Sequence, residues 1–241
     1  RAKSYQTDPD NPVWAFGLCQ SLIRIGDQKA YPADEHLEAK ESYHKALELI
    51  IQVIRRNPES DNMKTKRELS WCLNKLGDSL VKLKNVDAAL SMYHKGLCTR
   101  RHLASQYQTN TLLKRDVAFS LIRVGESQSL KQQTEAAESA YFEALTIRQE
   151  LISRDSYQTL WLGELGDTQH QIGLFFQKTA RPELAAGFFG LAVETRENVE
   201  HLVPKQDLEH DEAAAKYLQF VQMKLNQSKE ALDGLKDKLQ L

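Results

Sequence analysis

The sequence predicts an all-α fold, namely an α-α superhelix (a helical-repeat solenoid) of four antiparallel helical hairpins followed by a C-terminal capping helix. The first observation is an internal repeat, because a glycine behind a branched aliphatic residue returns every 48 to 51 residues. These glycines are Gly26, Gly77, Gly125 and Gly173. The second observation is that apolar residues recur every three or four positions, as on one face of a helix. The third is a polar break inside each repeat, which divides it into two helices.

The helical pattern sets the limits of each repeat. The repeats are expected at residues 13–57, 64–106, 112–154 and 160–203, with a C-terminal cap at 206–241. The first repeat carries extra residues between its helices, where Tyr31-Pro32 marks an irregular connection that is either a binding loop or slack. We expect a single domain over 1–241, taken from a longer protein because the chain begins at Arg1 rather than at a methionine.

The cap is predicted from one further amphipathic pattern. Tyr217, Val221 and Leu225 fall on one face of a helix after residue 206. A terminal repeat needs a polar outer surface because it has no neighbour. The charged segment 228–241 therefore either continues this helix or frays.

Other residue types recur in register with the glycines. An alanine, then an aromatic residue and then an arginine follow the later glycines at constant spacings, namely Ala89, Ala137, Ala185; Tyr93, Tyr141, Phe189; Arg100, Arg148, Arg196. This pattern resembles the tetratricopeptide (TPR) repeat, in which small residues let two helices approach and an aromatic residue fills the gap between them. The period here is 48 residues rather than the usual ~34, so each helix is expected to be about two turns longer. Such long-helix repeats resemble those of bacterial regulators and effectors.

Composition excludes several function classes. The chain has 32 Lys and Arg against 33 Asp and Glu, so it lacks the positive field that neutralises phosphates, and nucleic acid is not expected as a partner. Its apolar runs are far shorter than the ~20 residues of a membrane span, so no membrane partner is expected. The three cysteines, Cys19, Cys72 and Cys98, form no CxxC pair, which favours a reducing compartment. The expected location is the cytoplasm, or the cytosol of a host cell for a secreted effector, and Cys72 and Cys98 are expected to fill the core.

The sequence shows no constellation that supports catalysis. It contains no phosphate loop, no GxSxG elbow and no HExxH motif, and its seven histidines are scattered. We therefore expect no enzymatic activity, no cofactor and no metal site.

The TPR resemblance implies a function and a surface. It implies that the first helix of each hairpin lines a concave groove in which a protein or peptide binds. The groove positions are Trp71, Asn74, Lys75, Asp78, Phe119, Ile122, Arg123, Glu126 and His170. Trp71 and Phe119 are the first candidates for partner contact, since aromatic residues dominate binding hot spots. The alternative is that both rings simply pack between the long helices.

The residues that follow the repeat glycines restrict the ligand. TPR domains that clamp a C-terminal carboxylate carry asparagine there, whereas this chain has Asp27, Asp78 and Glu126. Because a carboxylate repels a bound carboxylate, a basic or amide-rich ligand is favoured. A cation stands three residues before each acid, as in Lys75 and Arg123, and forms either ordinary helix-surface pairs or a charged ladder for an extended partner.

Two functional hypotheses follow. The first is a protein-protein interaction module or scaffold that binds a peptide or protein in the concave groove. The alternative is a ligand-sensing regulatory domain whose superhelix closes on a small peptide. A homodimer through one end of the stack is left open.

Overall fold

The computed structural model describes residues 11–31, 33–56, 63–203 and 212–239, and every regular element in these ranges is an α-helix. The helices are α1 Pro12–Ala30, α2 His36–Arg56, α3 Met63–Lys82, α4 Val86–Gln106, α5 Thr111–Leu130, α6 Thr134–Arg154, α7 Thr159–Lys178, α8 Pro182–Leu202 and α9 Glu212–Leu239. The predicted all-α class, with four helix pairs and a C-terminal helix, is confirmed. The paired helices are 19 to 21 residues long, as the 48-residue period implies.

The helices group into two compact units, which we call unit 1 (residues 1–132) and unit 2 (residues 133–241). In unit 1, each of the helices α1 to α5 packs against the next one along the chain, and α3 also approaches both α1 and α5. In unit 2, α6 packs on α7, α7 on α8 and α8 on α9. The single domain expected over 1–241 stays a prediction.

The repeat glycines let an aromatic ring reach the backbone of the first helix. A Cβ atom on Gly26, Gly77 or Gly173 would lie 2.4 to 2.6 Å from a ring carbon of Tyr43, Tyr93 or Phe189. Real Cβ atoms do not make contacts this short, so only glycine fits. In these three hairpins, the recurring glycine and the recurring aromatic residue are therefore in direct contact.

The turn inside each hairpin explains the polar breaks. Lys84, Gln132 and Ala180 have φ of 62°, 61° and 55°, and Asp34 in the longer first connection has φ of 57°. In that connection, the backbone N–H of Glu35 donates to the carbonyl of Lys29 at 2.8 Å, and the two side chains form an ion pair. Tyr31 is exposed, and Pro32 lies outside the described residues.

The C-terminal helix packs on unit 2 along more of its length than the apolar residues between 217 and 225 predict. Val221 and Leu225 are buried, and Tyr217 donates from its hydroxyl to the carbonyl of Thr159 in α7 at 2.8 Å. Ser228 and Leu235 are also buried, so the charged segment after residue 228 continues the helix to Leu239 rather than fraying. The start of the predicted cap, residues 206–211, lies outside the described residues.

Two further sequence expectations concern burial. Cys19 and Cys72 are buried with their sulfur atoms 3.8 Å apart. The expectation that Cys98 fills the core is wrong, because the side of α4 that carries it faces an open groove instead of another helix. No helix in the described ranges combines the length and the apolar character that a bilayer crossing requires.

Candidate functional site

The acids that follow the repeat glycines join neighbouring repeats. Oδ1 of Asp27 in α1 accepts a hydrogen bond from the hydroxyl of Tyr43 at 2.7 Å. The same oxygen lies 2.8 Å from Nζ of Lys75 in the next first helix, α3. Burial, followed by the Asp27 carboxylate, raises the pKa of Tyr43, so its hydroxyl stays protonated and keeps donating. Asp27 thus fixes the aromatic residue of its own hairpin and pairs with a cation one repeat further along.

The same arrangement returns one repeat later. Oδ1 of Asp78 accepts a hydrogen bond from the hydroxyl of Tyr93 at 2.7 Å and lies 3.1 Å from Nε of Arg123 in α5. Arg123 also donates from Nη1 to Oε2 of Glu126 in its own helix at 2.9 Å. The helix-internal pair expected from the spacing therefore forms at Arg123 and Glu126. The pairs that cross between helices give unit 1 a ladder of alternating charges.

The ladder borders a small cavity in unit 1. The cavity has a volume of about 120 Å³, and its wall includes Tyr43, Tyr93, Lys75 and Asp78. Ligand pockets usually measure ~300 Å³ or more, so this cavity is too small for a peptide. Within the described part of the chain, no group of three or more His, Cys, Asp or Glu side chains is arranged to hold a metal ion.

Trp71 and Phe119, the two predicted anchors, form one cluster. Their ring centroids are 5.4 Å apart and their planes are inclined by 42°. The guanidinium carbon of Arg100 lies 4.6 Å from the Trp71 centroid and 5.5 Å from the Phe119 centroid. Arg100 is fully buried, whereas both rings are partly exposed. The rings therefore pack over a buried cation and also reach solvent. They fill space between helices, as one interpretation of the sequence expects, and they remain accessible for the partner contact that the other interpretation expects.

Arg100 ties α4 to both of its neighbours. Its Nε donates to Oγ of Ser70 in α3 at 3.0 Å. Its Nη1 donates to the carbonyl of Asp116 and to Oγ of Ser120, both in α5, at 2.8 and 2.9 Å. Burial lowers the pKa of Arg100 to about 10, which leaves the guanidinium charged at neutral pH. The two aromatic rings therefore pack against a charged side chain that its hydrogen bonds hold in place.

Asn74 has a different position from its predicted neighbours. It is 1% exposed, and its Nδ2 donates to Oγ of Ser120 at 3.0 Å. Asn74 therefore joins α3 to α5 inside unit 1 and does not face a partner. The remaining predicted residues of unit 1 are partly exposed on the first helices α3 and α5. We call this set the first-helix face: Trp71, Lys75, Asp78, Phe119, Ile122, Arg123 and Glu126.

His170 belongs to unit 2 and is not part of the first-helix face. Its ring centroid lies 5.2 Å from that of Phe189, and its Nδ1 lies 2.7 Å from Oγ of Ser228 in the capping helix. Burial, followed by the charges of Arg196 and Lys224, lowers the pKa of His170 to about 4. The imidazole is therefore neutral at pH 7 and packs against α9.

The recurring arginines are structural residues whose role the sequence analysis did not assign. Arg100, Arg148 and Arg196 are 0%, 5% and 2% exposed. Arg148 pairs with Glu164 in α7, and Arg196 donates to the carbonyl of Lys224 in α9 at 3.1 Å. Each arginine thus bonds to the next helix along the chain. Their constant spacing from the repeat glycines was the available signal, but arginine is rarely buried, so their burial was not expected.

Comparisons with known proteins concern the fold only. No protein-family model and no curated protein matches the sequence. Among solved structures, the chain is similar to BtubC (BKLC) from P. vanneervenii, with 14% identity over 93% of this chain and 91% of that one and a TM-score of 0.49. It is also similar to a Podosopora anserina putative kinesin light chain with nearly identical TPR-like repeats (11% identity, 94% and 98% coverage, TM-score 0.49). A third similar structure is that of MamA, with 16% identity over 75% of this chain and 92% of that one and a TM-score of 0.38. The chain is a helical-repeat protein with TPR-like structural neighbours.

Proposed function

We propose that the chain is a protein-interaction module that binds a peptide or protein through the first-helix face. The observation that carries this proposal is the partly exposed Trp71–Phe119 pair, held in place by the buried guanidinium of Arg100. Rigid aromatic residues lose little conformational entropy when they bind, which is why they are frequent at hot spots.

The charges around the aromatic pair define the kind of ligand. Lys75, Asp78, Arg123 and Glu126 are each about a third exposed, at 31%, 35%, 33% and 29% of the side chain. Because these charges are already paired, the face carries alternating donors and acceptors instead of one net sign. An amide-rich peptide with an apolar anchor fits this surface, since its N–H groups donate to the acids and its carbonyls accept from the cations.

The test is an unbiased selection of displayed peptides on the immobilised chain. Selected peptides are then labelled, and their affinities are measured by fluorescence anisotropy. Substituting Ile122→Lys, or Lys75→Ala together with Glu126→Ala, is expected to weaken binding about tenfold or more, the effect of losing ~1.4 kcal/mol. The matched control is Leu174→Ala, which changes the exposed residue directly after the glycine of the fourth repeat and is expected to leave affinity unchanged.

The aromatic residues need a second readout because they also cover Arg100. The variant Trp71→Ala with Phe119→Ala is therefore compared with wild type for both affinity and free energy of unfolding. A loss of binding at a temperature where the variant remains folded supports the proposal. Selected peptides that bind all of the face variants as tightly as wild type would refute it.

A further inference from the structure

Unit 1 also has an open groove formed by the second helices of its hairpins. Helices α2 and α4 both pack on α3 but are separated from each other, which leaves an open groove of about 590 Å³ between them. We call it the α2–α4 groove. Its floor is formed by Leu69, Leu73, Leu76 and Leu80 of α3. This volume lies within the ~300–1,000 Å³ range of binding pockets, and the lining is mainly apolar.

Unit 2 shows what fills the matching position. There, Phe142 of α6, Phe176 of α7 and Phe188 of α8 form one aromatic cluster with centroids 5.5 to 6.3 Å apart. Phe142 follows the repeat aromatic residue, Phe188 precedes it, and Phe176 stands three residues after the repeat glycine.

In unit 1 the same three positions hold His44, Leu80 and Met92, and all three line the α2–α4 groove. The three phenyl rings of unit 2 are thus replaced in unit 1 by the smaller Leu80, the flexible Met92 and the polar His44. Bulky aromatic side chains in unit 2 therefore occupy the position at which unit 1 has its groove. A partner that supplies such side chains would complete unit 1 in the same way.

The rim of the groove carries positive charge. Lys40 of α2 and Lys95 of α4 stand on its two sides. Lys40 and Lys95 are the charged residues of the groove lining, and none of the lining residues is an acid. On α2, the acid next to the groove residue His44 is Glu48, and the two side chains lie 3.4 Å apart. The outward charge of the rim is therefore basic.

We propose that the α2–α4 groove binds an acidic amphipathic helix of another protein, with bulky apolar residues in the groove and carboxylates beside Lys40 and Lys95. An amphipathic helix presents anchors at i, i+4 and i+7 along one side, which suits a groove between two helices. This proposal rests on a different surface from the first-helix face, so the two can fail separately.

The probe is a fluorescein-labelled peptide of roughly 18 residues with phenylalanine and leucine at i, i+4, i+7 and i+11 and glutamate at the flanking positions. A second peptide keeps the apolar stripe and has lysine in place of glutamate. Cys98 reports the location of binding, because it lines the groove and is exposed while Cys19 and Cys72 are buried. Its rate of reaction with a thiol reagent is measured with and without each peptide.

Two variants test the groove by different means. The triple variant His44→Phe, Leu80→Phe and Met92→Phe copies the aromatic cluster of unit 2 and fills the groove. The double variant Lys40→Glu and Lys95→Glu reverses the rim charge without changing the floor, so it keeps the test valid even if the filled variant fails to fold.

The proposal expects the acidic peptide to bind wild type, to slow the reaction of Cys98, and to lose about tenfold or more in affinity to either variant. The rim variant is expected to bind the lysine peptide instead. Three results would overturn the proposal: no binding of the acidic peptide to wild type, equal binding to the filled variant, or equal binding of the lysine peptide to wild type. Self-association of wild type that the filled variant abolishes would also overturn it, by assigning the groove to a second copy of the chain.

Discussion

The substitution Gly77→Ala tests how the repeat glycine and aromatic residue fix the geometry of a hairpin. An added Cβ would lie 2.5, 2.8 and 2.9 Å from three ring carbons of Tyr93, which is 2% exposed. The ring has to move, and its movement breaks the 2.7 Å hydrogen bond to Asp78.

The magnitude follows from three opposing effects. Alanine gains about 1 kcal/mol over glycine inside a helix. Overpacking costs about 1–3 kcal/mol, and losing a hydrogen bond to a charged group costs about 1.5–3 kcal/mol. The free energy of unfolding is therefore expected to fall by roughly 1.5–5 kcal/mol.

The assay is urea unfolding followed by far-UV circular dichroism. The matched control is Gly187→Ala in α8, where an added Cβ meets nothing within 4 Å and stability is expected to rise by about 0.5–1 kcal/mol. The double variant Gly77→Ala with Tyr93→Leu should cost less than the sum of its single changes, because the smaller side chain relieves the clash. If Gly77→Ala were as stabilising as Gly187→Ala, the close approach of ring and backbone would be refuted.

Three further predictions concern single residues. Arg100→Ala is expected to cost about 2–5 kcal/mol in urea unfolding, because it leaves a cavity and removes the hydrogen bonds to Ser70, Asp116 and Ser120. The change Arg101→Ala at the exposed neighbouring residue should stay within about 0.5 kcal/mol. Similar losses for both would contradict the structural role of Arg100. Lys84→Gly is expected to raise stability by about 0.5–1 kcal/mol, since its φ of 62° favours glycine. The control Lys82→Gly, at the last residue of α3, should instead lower it, by less than the roughly 1 kcal/mol of a helix interior. His170 has a pKa of about 4 in the folded chain, below its unfolded value of about 6.5, so protonation favours the unfolded state and melting temperature should fall as pH drops from 6.5 towards 4. His170→Gln should flatten this dependence, and an unchanged slope would contradict the assignment.

The sequence predicts the architecture well because the repeat is visible in single residues. Gly77 and Tyr93 recur in register with their counterparts in other repeats, and the structure shows close contact for this pair, for Gly26 with Tyr43 and for Gly173 with Phe189. Helical periodicity also places Val221 and Leu225 on the buried side of the capping helix.

The contacts between repeats are less accessible to sequence reasoning. Spacing alone pairs Lys75 with Asp78 on one helix, but Lys75 reaches Asp27 of the preceding first helix because neighbouring first helices lie side by side. Asn74 is buried for the same reason, since Ser120 of the next first helix accepts its hydrogen bond. The α2–α4 groove was not predicted, because it depends on which of several distant side chains are too small to fill one space.

The central claim is that the chain binds a peptide through the first-helix face. The most direct measurement is a crystal structure of the chain with the tightest peptide from the display selection. We expect an apolar side chain of the peptide to lie on Trp71 and Phe119, with its amide groups bonded to Lys75, Asp78 or Glu126. A peptide seated on another surface, with the first-helix face uncovered, would contradict the claim.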